Sequence, residues 1–255
     1  MFIRNKKVTA PLFFVFCVFL LWQTIILVFH IPPWLLPSPA TVAATFWDVL
    51  PLLFYHSQNT LLAAGSGLIA AVVLALGLGM IMEFSPWFKQ GIYPLIVISQ
   101  TIPIISIAPL FIIWLGFGLL PKVVVVALIC FFPVAVSTVE GMNAADPDMV
   151  NLLRVMGSSR WQIIKLVRFP AALPSFFAGL KIAGTYAVMG AIIGEWLGAT
   201  KGIGVFMTRA SYAYQLDKVL AAIIIISLVS LLIFGLIELA ARLIMPWYYK
   251  ERGSN

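Results

Sequence analysis

Long apolar runs alternate with short polar punctuation along the chain, and the runs have the length a bilayer demands. Stretches at about residues 10–29, 60–82, 91–115, 123–139, 174–197 and 219–241 carry few charges. A helix needs about 20 apolar residues to cross ~30 Å of hydrocarbon. The pattern predicts an all-α integral membrane protein with six transmembrane helices, read as a single domain over residues 1–255. The first run follows Arg4, Lys6 and Lys7. A cleaved signal peptide would have a shorter apolar core, about 7–15 residues, and a small-residue cleavage site, so a retained first helix is expected. Residues 31–59 contain Pro32, Pro33, Pro37, Pro39 and Pro51, which argue against a continuous span. Trp34, Trp47 and Tyr55 suit headgroup depth there, with a short amphipathic helix over about 40–50.

Within the spans, small residues recur at every fourth place. Ala63, Gly67, Ala71, Ala75 and Gly79 form one edge of the second span; Gly179, Ala183, Ala187 and Ala191 form an edge of the fifth, beside a second row of Gly190, Gly194 and Gly198. Such edges let backbones approach where lipid offers no hydrophobic drive, and they serve either packing within the chain or a subunit interface. The third span contains Gln100, Thr101, Pro103 and Pro109. Prolines at membrane depth free carbonyls that must be buried in protein or face a water-filled cavity, and broken helices mark transport sites. Gln100, Thr101 and Pro103 are therefore candidates for a translocation path, with a plain proline kink as the alternative. Glu195 closes the small edge of the fifth span. A charge at the bilayer centre costs roughly 2.5–3.5 kcal/mol on insertion scales. Glu195 is thus expected near the outer end of the span, paired with Lys201 or Arg209, or as part of the path.

Residues 143–173 are the one long central stretch without membrane character, and their punctuation describes two short helices with a bend. Asp146 is a good N-cap, Pro147 suits the first helical position, and Asp148 complements the helix dipole. Val150, Leu153 and Met156 supply apolar positions, and Gly157 can adopt the left-handed geometry of a C-terminal cap. Ser158 or Ser159 can cap a second helix containing Arg160, Trp161, Ile163, Ile164, Lys165, Val167 and Arg168, which Pro170 is expected to end. This is an amphipathic elbow at a membrane surface, accessible to a partner.

The composition agrees: 62% of the 255 residues are hydrophobic and 10% charged, with mean hydropathy +1.07, far from the ~25% charged residues of a soluble domain. A net charge of +7 raises the possibility of nucleic-acid binding, but placing the charges on six spans removes it. Twelve of the 16 lysines and arginines, Lys181 among them, fall on the side that carries both termini and the elbow; Lys122, Lys201, Arg209 and Lys218 fall on the other. That bias is the positive-inside signature and puts elbow and termini in the cytoplasm. Cys17 and Cys130 lie in apolar runs without metal spacing, and His30 and His56 are the only histidines, so a metal centre is not expected.

Gly157, nine intervening residues, then Val167-Arg168-Phe169-Pro170 resembles the "EAA" loop of importer-type ABC permeases, which reads E-A-A, three residues, G, nine residues, I-x-L-P. Asn151-Leu152-Leu153 replaces the E-A-A, so the loop's acid is absent. The stretches QTIPIISIAPLFIIWLGFG and GEWLGATKGIG resemble the permeases for sulfonates, taurine and nitrate, and FPAALPSFFAGLKIA is also similar to permeases for a pyrimidine precursor of thiamine. The resemblance covers nearly the whole chain. It implies a type I ABC importer permease fold, a coupling helix between spans 4 and 5, and a homodimeric twelve-span pore in a bacterial inner membrane. Two cytoplasmic ATPases and an external binding protein would be its partners. Asn151, Gly157, Ser159, Arg160, Trp161, Lys165 and Pro170 would then form the ATPase-coupling site.

No G-x-x-x-x-G-K-[ST] occurs in the chain, so ATP and Mg are expected on the partner ATPase rather than here. H-E-x-x-H and G-x-S-x-G are also missing, and the chain is not expected to be an enzyme or to bind a cofactor. A stand-alone channel or secondary carrier, or a membrane assembly factor, are the competing classes.

Overall fold

A computed structural model describes residues 2–253, with side chains from residue 10 to residue 250. Those residues are helical almost throughout: α1 Phe2–Phe29, α2 Pro39–Phe84, α3 Pro86–Ser99, α4 Ile104–Leu115, α5 Leu119–Asn143, α6 Pro147–Val155, α7 Arg160–Ile163, a π turn Ile164–Arg168, α8 Phe169–Trp196, α9 Ile203–Tyr212, α10 Leu216–Ile244 and α11 Pro246–Gly253. Five helices are long and apolar enough to span a membrane, and the bent pair α3–α4 makes a sixth if taken as one. The side chains of Arg4, Lys6, Lys7 and Arg252, counted in the charge bias, lie outside the described residues.

The bundle is built on α5, flanked by α2 and α8. The small-residue edges explain why. A Cβ on Gly67 would lie 2.4 Å from the Val126 Cβ, and one on Gly179 would lie 2.4 Å from the Pro133 carbonyl oxygen. Ala63, Ala71, Ala75, Ala183, Ala187 and Ala191 are fully buried with Val126, Cys130 and Val134 of α5. Both edges therefore serve packing within the chain. α10 closes the bundle against α8 and α2. α1 does not join it: none of its apolar window, Ala10–Phe29, is buried.

Three expectations about continuity are corrected. The separate amphipathic helix at 40–50 and the second span are one 46-residue helix, α2, with Pro51 inside it. The ring removes one hydrogen bond, to the carbonyl of Trp47, and Trp47 is exposed, where solvent and headgroups can serve that carbonyl. Pro170 likewise does not end the elbow's second helix, which passes through the π turn into α8 and makes a 37-residue helical run, Arg160–Trp196. Here the Phe169 N–H bonds to the Ile164 carbonyl, five residues back. The ladder has already slipped by one residue when the proline arrives, which relieves the clash its ring would make with the carbonyl four residues before it. The third span, by contrast, is not one helix. It breaks after Ser99, turns through Gln100–Pro103, and α4 leaves at 100° to α3.

Lys181 is placed differently as well. It sits on α8 and pairs with Glu238 of α10, which also accepts from the Arg242 Nε at 2.9 Å. Its charge is neutralised between helices rather than presented at a membrane face.

Candidate functional site

The elbow forms as its punctuation predicts. The Asp146 carboxylate accepts from the Asp148 N–H at 2.9 Å, with Pro147 at the start of α6. Gly157 takes φ +77°, a conformation that disfavours any side chain. Its N–H and that of Ser158 bond back to the carbonyls of Arg154 and Leu153. Ser159 and Gln162 then make a reciprocal capping box: the Ser159 hydroxyl accepts from the Gln162 N–H at 3.3 Å, and the Gln162 side chain accepts from the Ser159 N–H at 2.7 Å.

Charged and aromatic side chains of this segment are stitched to the end of α2. Arg160 donates to the Phe84 carbonyl at 3.1 Å, satisfying one of the orphan acceptors of that helix terminus. Trp161 stacks on the Phe84 ring, centroids 5.8 Å apart and 13° from parallel. Arg168 pairs with Glu83, which lies 3.9 Å from the Lys89 Nζ. Asn151 is exposed and accepts from Arg154 at 3.5 Å; Lys165 is exposed, and Pro170 is half-buried at the head of α8. Val150 turns inward, but Met156 does not. It joins Met149, Leu152 and Val155 in an outward apolar stripe, with Val155 88% and Met156 71% exposed. That stripe is a contiguous unpartnered face on an otherwise charged segment. Its spacing at 149, 152 and 156 is legible in the sequence, one position out of phase with Val150 and Leu153.

A second candidate lies where the broken span meets α5 and α8. A cavity of about 610 Å³ is walled by Gln100 and Pro103 from the break, Ile129 and Phe132 from α5, and Tyr186 and Met189 from α8, among others. Gln100 and Tyr186 are its only polar side chains. Thr101 is not part of the wall, and its hydroxyl donates to the Ile98 carbonyl at 2.8 Å. Tyr186 carries no motif that singles it out in the sequence; only the docking of α8 against the break reveals it.

Glu195 belongs to neither place. It lies at the other end of α8 from the elbow, about 40 Å along the helix at 1.5 Å per residue. There it is 1% exposed. Its carboxylate accepts from the Thr60 hydroxyl at 2.8 Å and the Gly204 N–H at 2.7 Å. The Thr60 oxygen accepts from the Ile203 N–H at 2.9 Å, and His56 Nδ1 from the Gly202 N–H at 3.1 Å. The expected partners do not appear: Lys201 instead stands over the Tyr55 ring at 5.4 Å. The cause is the start of α9, whose cap residue, Gly202, has no side chain to satisfy the first amides. Three side chains from α2 and α8 do so instead, and a carboxylate suits the positive end of a helix dipole. His56 and Thr60 were not legible as partners, because nothing local links them to residues some 140 positions later.

Residues 71–245 match the family described as "binding-protein-dependent transport system inner membrane component". The chain belongs to this family of ABC importer permeases. It is 34% identical to the formylaminopyrimidine transport permease protein ThiX of Halalkalibacterium halodurans over 97% of this chain and 99% of that one. It is also 34% identical to the riboflavin transport system permease protein RibX of Chloroflexus aurantiacus, over 89% of this chain and 85% of the other. Identity to the taurine transport system permease protein TauC of Escherichia coli is 28%, over 96% and 91%. In fold the permease is similar to a chain of the MetNI methionine ABC transporter solved in inward-facing conformations, with TM-score 0.67, 18% identity, and coverage of 76% of this permease and 97% of that chain. Permease subunits of this family are not themselves ATPases, and this one is a multi-pass membrane component of such a transporter.

Proposed function

We propose that two copies of this permease form the pore of an ATP-driven importer in a bacterial inner membrane, with both termini and the elbow in the cytoplasm. Two ATPase subunits, which hold ATP and Mg, dock on the elbows, and an external binding protein delivers a small polar solute. The observation that carries this reading is the outward apolar stripe of α6, Met149 to Met156, held on a hinge whose far side is stitched to α2. The stripe offers burial to a partner, at roughly 25 cal/mol per Å² of apolar surface covered. The stitches through Arg160, Trp161 and Arg168 transmit its movement to α2 and α8. Asn151 and Lys165 lie on the exposed side, available to the same partner.

For the solute we favour a flat, uncharged heterocycle, of the kind named for the Halalkalibacterium relative, over a sulfonate anion. What supports this is the cavity at the helix break, where an aromatic ring, apolar walls and one amide converge and no cation is present among the lining residues. An anion there would lack a charged partner.

Reconstitution with the partner ATPase and binding protein tests the reading. Gly157→Pro and Trp161→Ala are expected to leave the permease in the membrane while uncoupling ATP hydrolysis from uptake. Normal vanadate-sensitive uptake in both variants would remove the elbow from the mechanism. Uptake competed by taurine and not by formylaminopyrimidine would overturn the substrate class alone.

A further inference from the structure

Beneath the elbow lies a recess of about 570 Å³, opening between the ends of α2 and α5, the start of α3, and the turn from α6 to α7. Its wall carries Lys89, Arg154, Arg160 and Arg168 against one carboxylate, Glu83. Four cations and one anion leave a surplus of three positive charges. Glu83 is already shared: its side chain is 6% exposed, paired with Arg168 and 3.9 Å from Lys89. Lys89 otherwise donates to the Asn143 amide oxygen at 2.5 Å. Arg154 and Arg160 have only neutral partners among the described contacts, the Asn151 amide oxygen and the Phe84 carbonyl. The floor is apolar and buried, formed by Met82, Ile163 and Ile164. Low-dielectric walls behind like charges concentrate the field on whatever enters.

We propose that this recess binds a phosphate group, presented by an anionic lipid headgroup of the adjoining leaflet or by a soluble phosphate monoester. Guanidinium forks match phosphate oxygens in pairs, and an ammonium adds a point charge. The Ser158 hydroxyl supplies a further donor at the rim. A single side-chain carboxylate from a protein would neutralise one charge of the three; a phosphate monoester brings up to two charges and three acceptor oxygens, and a phosphodiester headgroup brings one charge on two oxygens set for a guanidinium fork. Two exposed aromatic residues follow lining residues in sequence, Trp87 after Pro86 and Trp161 after Arg160, and exposed rings of this kind suit headgroup level. Basic pockets between helices at that level suit headgroups. A ligand there would bridge α3, α6 and the α7–α8 run, of which Glu83 links only Lys89 of α3 and Arg168 before α8. The site is separate from the outward stripe of α6, and its binding test does not require transport.

The test uses the full chain in nanodiscs, with hydrogen exchange of residues 154–168 as readout. In phosphatidylcholine discs, inorganic phosphate is titrated against chloride at matched ionic strength. In parallel, phosphatidylglycerol replaces part of the lipid without phosphate. Saturable protection by phosphate assigns a soluble source; protection by phosphatidylglycerol, where phosphate alone gives little, assigns the lipid. Lys89→Gln and Arg154→Gln are each expected to weaken binding about tenfold, the scale of one charge-assisted hydrogen bond. Glu83→Gln, which raises the surplus charge, should tighten it severalfold. Absence of protection by either probe in the unaltered chain overturns the proposal, as does unchanged binding in the Lys89→Gln/Arg154→Gln double variant.

Discussion

Two helix starts in this permease solve the same problem in opposite ways. At the elbow, α7 caps itself: Ser159 and Gln162, three residues apart, satisfy each other's amides, and both stand exposed. At the other end of the bundle, α9 begins at a glycine with nothing of its own to offer, and His56, Thr60 and Glu195 of two other helices accept its first three amides in a buried site. A local cap holds its helix whatever the neighbours do. A remote cap exists only while α2, α8 and α9 are assembled, so it fixes their relative position. The comparison separates an end that holds itself from an end held by its neighbours.

Four substitutions sharpen or break that contrast, each read as the unfolding temperature of the detergent-purified permease. Gly202→Ala should have the largest effect. Its φ is +134°, and a Cβ would meet the Glu195 carboxyl carbon at 2.1 Å, so the start of α9 cannot keep both conformation and partner. Failure to purify a folded protein, or the steepest loss of the set, is expected. Glu195→Leu comes next: it orphans the Thr60 hydroxyl and the Gly204 N–H, at about 1–3 kcal/mol each when buried. Thr60→Val should lose a comparable amount, since it leaves the Ile203 N–H without its acceptor and Glu195 Oε1 without its donor, again about 1–3 kcal/mol each. Ser159→Ala is the smallest, about 1 kcal/mol or below for a solvated cap. A Ser159→Ala loss equal to that of Glu195→Leu would erase the distinction between the two ends.

The same contrast explains what could be read without coordinates. Asp146, Gly157 and Ser159 were legible because their partners lie within a few residues, and the charge-poor runs mark the spans because length and hydropathy are local sums. Proline was the unreliable sign. Pro51 and Pro170 promised breaks that a solvated carbonyl and a π turn absorb, whereas the turn before Pro103 bends the chain by 100°. The difference lies in what surrounds each ring, which one residue type cannot report. Glu195 lies at the end of α8 away from the elbow, and its partners are not the cations that charge pairing suggests. Backbone amides of a helix terminus are donors no side-chain inventory contains. The cavity at the break was half legible: Gln100 and Pro103 stand out in sequence, while Tyr186 enters from a distant helix.

The unbroken run from Arg160 to Trp196 has a mechanical consequence. Its 37 residues, at 1.5 Å each, make a lever about 55 Å long, well beyond the ~30 Å of hydrocarbon it crosses. No break in the helix separates its elbow end from its Glu195 end. Torque applied near Trp161 would therefore reach the Glu195 clasp as rotation of one rod. Where the π turn acts as its fulcrum, the stroke at the far end scales with the ratio of the two arms.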